Sequence, residues 1–239
     1  ATSTRAIIVS KARSAATGPQ IPLPLDHRPA QGRDDFLVSQ SNAVAVAWVD
    51  KWPDWPQPIV VLSGPEGSGK THLADVWRAG ADAASCNAMD LTRENVPELL
   101  TAGGLVVEDI ELLRDPAALF HLLNFAREKG ATLMLTCTTA PGTLHFPLAD
   151  LMSRLKAAPH VQLLEPDDML LIQLIAKLFA ERGVHASPDM LEYIAHRIDR
   201  SAHAARSIVE KIDFHALSHG KRLNMKVIRD VLKASADKA

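Results

Sequence analysis

The sequence contains little cysteine, no excess of basic residues and no long apolar run. Its two cysteines, Cys86 and Cys137, lie far apart without a Cys-x-x-Cys pair, which excludes a disulfide framework or a cysteine-built zinc site and fits a reducing cytoplasm. The apolar runs are too short to cross a bilayer, which excludes an integral membrane protein. The sequence has 26 Lys and Arg against 28 Asp and Glu, which gives a net charge of -2. Because it lacks a basic excess, we expect only indirect contact with DNA, and we expect no membrane contact.

The chain divides by its residue pattern into three regions. Residues 1–33 are rich in Thr, Ser, Ala, Gly and Pro and sustain no helical period, which predicts a mobile tail. Residues 34–165 alternate short apolar strands with helices, which predicts an α/β domain with a parallel five-stranded sheet. Residues 166–239 show no strand pattern, and four helices opened by Asp, Ser, Asn or Pro residues predict a small all-helical domain.

The strongest chemical motif is the segment 64–71, GPEGSGKT, which matches G-x-x-x-x-G-K-[ST] between a predicted strand and a predicted helix. Glycines let the backbone curl until its N–H groups point at phosphate oxygens, and the helix adds its positive N-terminal end. Lys70 is expected to reach the β- and γ-phosphates, and Thr71 to hold Mg²⁺. The predicted loop contacts to bound ADP or ATP are Gly64, Gly67, Ser68, Gly69, Lys70 and Thr71.

A second motif, the segment 105–109 with sequence LVVED, has the form of a Walker B strand. Such a buried strand delivers carboxylates at its C-terminal end to Mg²⁺ and to the attacking water. We predict Glu108 as a Mg²⁺ ligand and Asp109 as a catalytic carboxylate. Glu108 stands where Asp is usual, and its extra methylene displaces the carboxylate by about 1 Å, a misplacement that can cost catalysis heavily. We therefore expect the protein's own ATP hydrolysis to be weak or absent.

Five segments, in this order and spacing, resemble the AAA+ ATPases of the DnaA branch. The segments are DFLV at 35–38 followed by Asn42, GKTHL at 69–73, VEDIE at 107–111, LTCTTAP at 135–141 and DLMSRL at 150–155. They resemble, in turn, the entry to the adenine pocket, the phosphate loop, Walker B, the sensor I strand and the box that carries the arginine finger. The resemblance implies the AAA+ fold of P-loop NTPases, a five-stranded parallel sheet with flanking helices and a helical lid.

The resemblance also assigns residue roles. It implies that Arg154 is an arginine finger acting in trans on a neighbour's nucleotide and that Thr138 is sensor I. Sensor II is either Arg206 or His203, one turn apart on the same predicted helix. The remaining nucleotide contacts that it implies are Phe36, Val38, Asn42 and His72.

The tail contains one distinctive peptide, QIPLPL at residues 20–25. Two prolines hold such a chain extended, Leu23 and Leu25 offer apolar anchors, and the amide of Gln20 can pair with backbone. The peptide resembles the Gln-x-x-Leu-x-Leu motif by which replication proteins attach to the polymerase sliding clamp (β subunit). A proline-rich linker is the alternative interpretation.

These expectations combine into a function. The resemblance implies a cytoplasmic bacterial protein, tethered to the clamp, that stimulates ATP hydrolysis by the initiator DnaA and so acts as a negative regulator of replication initiation. The sequence ends soon after the last predicted helix, so we expect a regulator without the helix-turn-helix domain of an initiator. Self-association into a homodimer is a further expectation. The alternatives are a helicase-loader-type or other DnaA-like AAA+ ATPase and a P-loop small-molecule kinase.

Overall fold

A computed structural model describes residues 33, 36–220 and 222–236. The predicted tail and the peptide at 20–25, with Gln20, Leu23 and Leu25, lie outside the described residues apart from Arg33. None of the helices within the described ranges is long and apolar enough to cross a membrane.

Five parallel strands form one sheet, as predicted. They are β1 (Ile59–Ser63), β2 (Ala84–Asn87), β3 (Gly104–Glu108), β4 (Thr132–Cys137) and β5 (His160–Gln162). Their order across the sheet is β2-β3-β4-β1-β5. The central strands are almost uniformly apolar because both faces of the sheet are covered.

Helices surround the sheet and then continue alone. In the first part they are α1 (Ala43–Val49), α2 (Lys70–Ala81), α3 (Val96–Leu99), α4 (Pro116–Lys129) and α5 (Ala149–Ala157). After β5 follow α6 (Asp168–Glu181), α7 (Pro188–Ala195), α8 (Ala202–Ser218) and α9 (Met225–Ala236). The predicted boundary between residues 165 and 166 falls in the connection between β5 and α6. The four-residue helix α3 was not predicted, because one turn carries too little periodicity to identify it.

Three apolar clusters hold these layers together. Successive residues of β4 point to opposite faces of the sheet, so Leu133 and Leu135 belong to the cluster under α4 and α5, whereas Met134 belongs to the cluster under α1 and α2. The third cluster lies within α6–α9 and contains Ile175 and Ile212, both fully buried. We call α6–α9 the lid. It therefore has an apolar core of its own.

The topology brings polar strand ends to one edge of the sheet. Parallel strands direct their carboxyl ends to the same edge, which is where open α/β sheets bind ligands. The strands end there at Ser63, Asn87, Glu108, Cys137 and Gln162. The phosphate loop follows the first of these ends.

Candidate nucleotide-binding site

The phosphate loop makes a tight turn between β1 and α2. Gly67 and Gly69 have φ angles of 74° and 99°, a left-handed backbone that L side chains rarely adopt. A Cβ on Gly64 would lie 2.6 Å from the carbonyl oxygen of Leu163, and one on Gly67 would lie 2.4 Å from the Cβ of Ser201. The loop is thus packed closely against Leu163 and Ser201, which leave no room for a side chain at Gly64 or Gly67.

The loop lysine is buried inside this turn. Lys70 is 8% exposed, and its Nζ donates to the carbonyl oxygens of Gly64 (2.8 Å) and Pro65 (3.1 Å). The nearby Oγ of Ser68 is buried without a hydrogen-bond partner among the described residues. A buried ammonium group and an unsatisfied hydroxyl are groups that phosphate oxygens would satisfy. The loop therefore fits a nucleotide phosphate.

The two residues predicted to hold Mg²⁺ lie in contact. The Oγ1 of Thr71, at the start of α2, donates to Oε2 of Glu108, at the end of β3, over 2.8 Å. A hydroxyl and a carboxylate are the oxygen ligands that Mg²⁺ prefers. The longer side chain of Glu108 thus reaches the loop threonine directly, and the pair fits a metal site beside the phosphates.

Asp109 turns the chain away from the sheet directly after β3. Its φ and ψ are 56° and 54°, its N–H donates to Oγ1 of Thr136 (3.0 Å), and its Oδ2 lies 3.5 Å from Nδ2 of Asn87. The backbone of Asp109 is therefore held at the end of β4, and its carboxylate lies beside the end of β2. Asn87 was not a predicted site residue, because nothing at the end of a short strand distinguishes it in sequence.

The end of β4 is fixed by a residue that the sequence reasoning also missed. Oε1 of Glu111 accepts from the N–H of Thr138 (2.8 Å), while its Oε2 is buried without a partner among the described residues. Burial first, then the charge of Glu111, raises the pKa of the Cys137 thiol to about 12, with Lys70 opposing. The thiol therefore stays neutral, which makes it a packing group.

An apolar cleft opens beside the loop, between the sheet domain and the lid. Its walls include Phe36, Leu37, Asn42, Ser68, Gly69, His72, Leu170, Leu174, Leu178 and Arg206. The rings of Phe36 and His72 contact each other, with centroids 4.9 Å apart. Asn42 shapes the wall through its side chain, which accepts from the N–H of Ser39 and donates to the oxygen of Leu37, each over 2.9 Å. The cleft offers a largely apolar space suited to a base.

The lid reaches the loop at the first turn of α8. The N–H of Ala202 donates to the carbonyl oxygen of Gly67 (3.1 Å), and Ser201 caps the helix by accepting from Ala204 N–H (3.0 Å). His203, in the first turn of α8, lines a neighbouring charged cleft that also includes Glu66 and Gly67. Arg206, in the second turn, lines the apolar cleft. The two sensor II candidates thus face different clefts, and Arg206 is the one on the apolar side with Ser68 and Gly69.

Asp167 makes a second connection between the lid and the sheet domain. Its Oδ1 caps α6 by accepting from Leu170 N–H (2.8 Å), and its Oδ2 accepts from Ser41 N–H (3.4 Å). Burial raises the pKa of this carboxyl, but the hydrogen bonds from Leu170, Ser39 and Ser41 and the charge of Arg200 outweigh it, so the pKa is lowered.

Comparisons with known proteins find relatives of low sequence identity. No protein-family model matches the chain. It is 23% identical to the chromosomal replication initiator protein DnaA of Bacteroides fragilis over 84% of this chain and 48% of that protein. It is also 23% identical to an uncharacterised protein of Haemophilus influenzae, over 89% of this chain and 98% of that one. The chain thus spans about half the length of the DnaA relatives it matches.

Solved structures give the fold. The AMPPCP-bound DnaA of Aquifex aeolicus superimposes with a TM-score of 0.71, at 17% identity, over 88% of this chain and 71% of that one. The fold is that of a DnaA-like AAA+ domain. The Thermotoga maritima RuvB Holliday junction branch migration motor also matches, with a TM-score of 0.69 at 20% identity, over 85% of this chain and 72% of that one. At these identities the structural likeness establishes the AAA+ fold alone.

Within this DnaA-like AAA+ fold, Arg154 lies apart from the loop. It lines neither of the two clefts, and its guanidinium lies over the ring of Phe120, 4.7 Å from the centroid. Val38 is 46% exposed and is absent from the cleft walls, unlike Phe36 and Asn42. The nucleotide role of Val38, the sensor role of Thr138 and the finger role of Arg154 stay predictions.

Proposed function

We propose that this protein is a nucleotide-bound regulator of replication initiation, which stimulates ATP hydrolysis by DnaA through Arg154 while attached to the sliding clamp through residues 20–25. In this proposal it is a counterpart of Hda, the DnaA-like protein that switches the bacterial initiator off. The observation that carries the proposal is a complete phosphate loop in a DnaA-like AAA+ fold, together with an arginine that lies outside its own nucleotide cleft.

Nucleotide binding is the first step of the proposal. The buried Lys70, the unpartnered Ser68 hydroxyl and the contact of Thr71 with Glu108 support a site for ADP or ATP with Mg²⁺. The related DnaA of Aquifex aeolicus was solved with AMPPCP bound. In this chain Lys70 would hold phosphate oxygens, Thr71 and Glu108 would hold the metal, and the Phe36 and His72 rings would pack against the base. The bound Mg²⁺ would neutralise phosphate charge.

Replacing Lys70 tests this step. Loss of one charge-assisted contact, worth about 1.5–3 kcal/mol, should weaken ADP and ATP binding by about 10- to 100-fold in the Lys70→Ala variant. Lys129→Ala is the matched control, because Lys129 is an exposed lysine on α4 far along the chain from the loop. Isothermal titration with each nucleotide measures the effect, and equal affinities for both variants and the unaltered protein would refute the assignment.

Arg154 supplies the second step. Its guanidinium rests on Phe120 and forms no ion pair with any carboxylate that the structure describes. An arginine supplied in trans stabilises charge that develops on the transferred phosphoryl group and is worth about 10³-fold or more. Arg154→Ala should therefore remove stimulation of DnaA-bound ATP hydrolysis while leaving ADP affinity unchanged. Stimulation that survives the substitution would exclude Arg154 as the finger.

The clamp contact rests on the peptide at 20–25. A pull-down on the sliding clamp should retain the unaltered chain and lose a Gln20→Ala, Leu23→Ala variant, because one amide and one apolar anchor are removed. Equal retention of both proteins would eliminate this tether and leave the nucleotide site untouched.

A second candidate is an AAA+ factor that remodels DNA by its own ATP turnover, and the likeness to the RuvB motor favours it. The two candidates differ in where hydrolysis occurs. The proposed regulator should turn over ATP slowly alone and with DNA, because Glu108 replaces the usual aspartate. Fast turnover by the purified protein with DNA, without DnaA, would favour the motor.

A further inference from the structure

The overall charge conceals a division along the chain. Residues 200–239 contain nine Lys and Arg against four Asp and Glu, a net charge of +5, whereas residues 1–199 contain 17 against 24, a net charge of -7. Charge asymmetry of this kind indicates an anionic partner for the basic part. The question is whether the fold gathers the basic side chains on one surface.

Helix α9 presents three of them in a row. Lys226, Arg229 and Lys233 are exposed and recur at spacings of three and four residues, so they lie on one face of the helix. The opposite face, with Val227 and Ile228, is buried in the lid core. The row spans about 10 Å along the helix axis, from a rise of about 1.5 Å per residue.

A fourth cation joins this row through Tyr193. The guanidinium of Arg197 lies 3.6 Å from the centroid of the Tyr193 ring, and that of Arg229 lies 5.6 Å from it. Arg197 Nη1 also donates to the carbonyl oxygen of Tyr193 (3.1 Å). Contact with the ring orients both planar groups and offsets part of their mutual repulsion. We call Arg197, Lys226, Arg229 and Lys233 around Tyr193 the basic lid face.

The charges of this face are not neutralised by the residues that the structure describes. None of its four cations forms an ion pair within the described residues, whereas Arg200 of the same lid bonds Asp168 over 2.7 Å. Asp189 and Glu192 on α7 and Asp230 on α9 are exposed carboxylates on the helices that hold Tyr193 and the three α9 cations, and none of them forms an ion pair with these cations. The cations are therefore preorganised and available to an external anion.

We propose that the basic lid face binds the phosphate backbone of duplex DNA. Arginine edges and lysine ammonium groups bind phosphate oxygens directly. The apolar side chains of α9 are buried in the lid, so the helix lacks the apolar face that a membrane-surface helix inserts into lipid. The Tyr193 ring is in contact with both guanidinium groups, so it is a poor platform for stacking unpaired bases. This surface goes beyond the proposed function, since it requires neither nucleotide nor clamp.

Fluorescence anisotropy with a short duplex of mixed sequence tests the proposal on the full chain without the clamp. Four phosphate contacts predict that the logarithm of the binding constant falls with the logarithm of salt concentration with a slope of about -3.5. Charge reversal in the K226E, R229E, K233E variant should weaken binding by at least about 10-fold, because three contacts become repulsive. The single Arg229→Gln variant should reduce the slope by about one.

The matched control is R114E, R127E, K129E, which makes the same change in net charge at exposed positions before and on α4. Retained affinity in the control with loss in the lid variant supports the proposal. Equal losses in both variants, or no binding by the unaltered chain at about 50 mM salt, would overturn it. The same proteins are also tested with vesicles of anionic phospholipid. If the unaltered chain binds the vesicles but not DNA, and the lid variant loses the vesicle binding, the proposal is also overturned.

Substitutions of Tyr193 test whether its ring organises the cations of the basic lid face. Tyr193→Phe keeps the ring and should keep DNA affinity, whereas Tyr193→Leu removes the ring and should lower affinity by about 2- to 5-fold, from a cation–π contribution of about 0.5–1 kcal/mol. Circular dichroism melting confirms that each variant is folded. Equal affinities for the two variants would exclude the organising role of the ring.

Discussion

The phosphate loop and the basic lid face are two cationic surfaces built in opposite ways. In the loop, one lysine is buried and bonded to two carbonyl oxygens of its own turn. On the lid, three exposed cations come from α9 and a fourth, Arg197, follows α7, and two of the four contact one aromatic ring. A buried charge has to be satisfied by groups close to it, so the loop is encoded by consecutive residues. Exposed charges have no such requirement: helical spacing places three of the lid cations on one face of α9, and only the fold brings Arg197 and Tyr193 beside them.

The first prediction asks whether these two regions are also separate in stability. Leu133 lies in the sheet core and Ile212 in the lid core, and both are fully buried. Replacing either with Ala should cost about 2–5 kcal/mol. Because the described contacts between the regions are few, Ile212→Ala should increase hydrogen exchange in α6–α9 and leave β1, β3 and β4 protected. Loss of protection throughout the sheet in this variant would mean that the two regions unfold as one unit.

The second prediction concerns the junction at Gly67. Gly67→Ala places a side chain on a backbone with a left-handed φ of 74°, and the new Cβ would lie only 2.4 Å from Ser201 Cβ. The substitution should therefore cost about 2–3 kcal/mol of stability. Gly69→Ala is the control, because Gly69 also has a left-handed φ, of 99°, but a Cβ added there would meet no atom within 4 Å. We expect Gly69→Ala to cost about 1–2 kcal/mol.

A compensating change sharpens this test. Ser201→Gly removes the Cβ and Oγ that the new methyl group would meet and leaves only the Cα, at 3.3 Å, so the double variant with Gly67→Ala should recover most of the steric part of the loss. A double-mutant cycle in urea unfolding measures that coupling. A coupling energy of zero would show that the lid moves away from the loop without cost.

How far sequence alone predicted this molecule depends on how local each signal is. The five strands and their parallel direction follow from apolar runs separated by helices, and this fold prediction is confirmed. Lys70, Thr71 and Glu108 were expected to share one site, and the structure brings them together because strand ends meet at one edge of the sheet.

The residues that escaped prediction depend on contacts across the fold. Glu111 is identified only by its bond to the Thr138 N–H, 27 positions along the chain. Ala202 touches the loop through its backbone, which no side-chain motif can encode. Helical spacing alone does not separate Arg206 from His203, and the fold adds that they line different clefts; which of them is sensor II stays a prediction. Contacts of this kind arise from packing between elements, and residue spacing does not specify them.

The third prediction concerns the other junction, at Asp167. Its lowered pKa means that the ionised carboxylate stabilises the folded chain above the ordinary pKa of an aspartate and that this contribution is lost as pH falls through the lower folded value. Asp167→Asn should cost about 1 kcal/mol near neutral pH, because the neutral amide keeps an acceptor for the α6 cap but loses the charge that strengthens the hydrogen bonds from Ser39 and Ser41 and attracts Arg200. Urea unfolding at neutral and acidic pH measures it. A loss that persists below the folded pKa would show that charge is not the cause.

The smallest predicted effect belongs to Asp50, which provides a control for Asp167. Arg33 Nε and Nη2 donate to the two Asp50 oxygens over 2.7 Å each, and this hydrogen bonding, partly opposed by burial and aided by the arginine charge, lowers the pKa of Asp50. The sign of the pH effect is therefore the same as at Asp167. Both side chains are 43% exposed, so solvent screens the pair, and Asp50→Asn should cost only about 0.5 kcal/mol. A loss at Asp50 as large as that at Asp167 would mean that surface charge, and not the junction between sheet domain and lid, sets the acid stability of this protein.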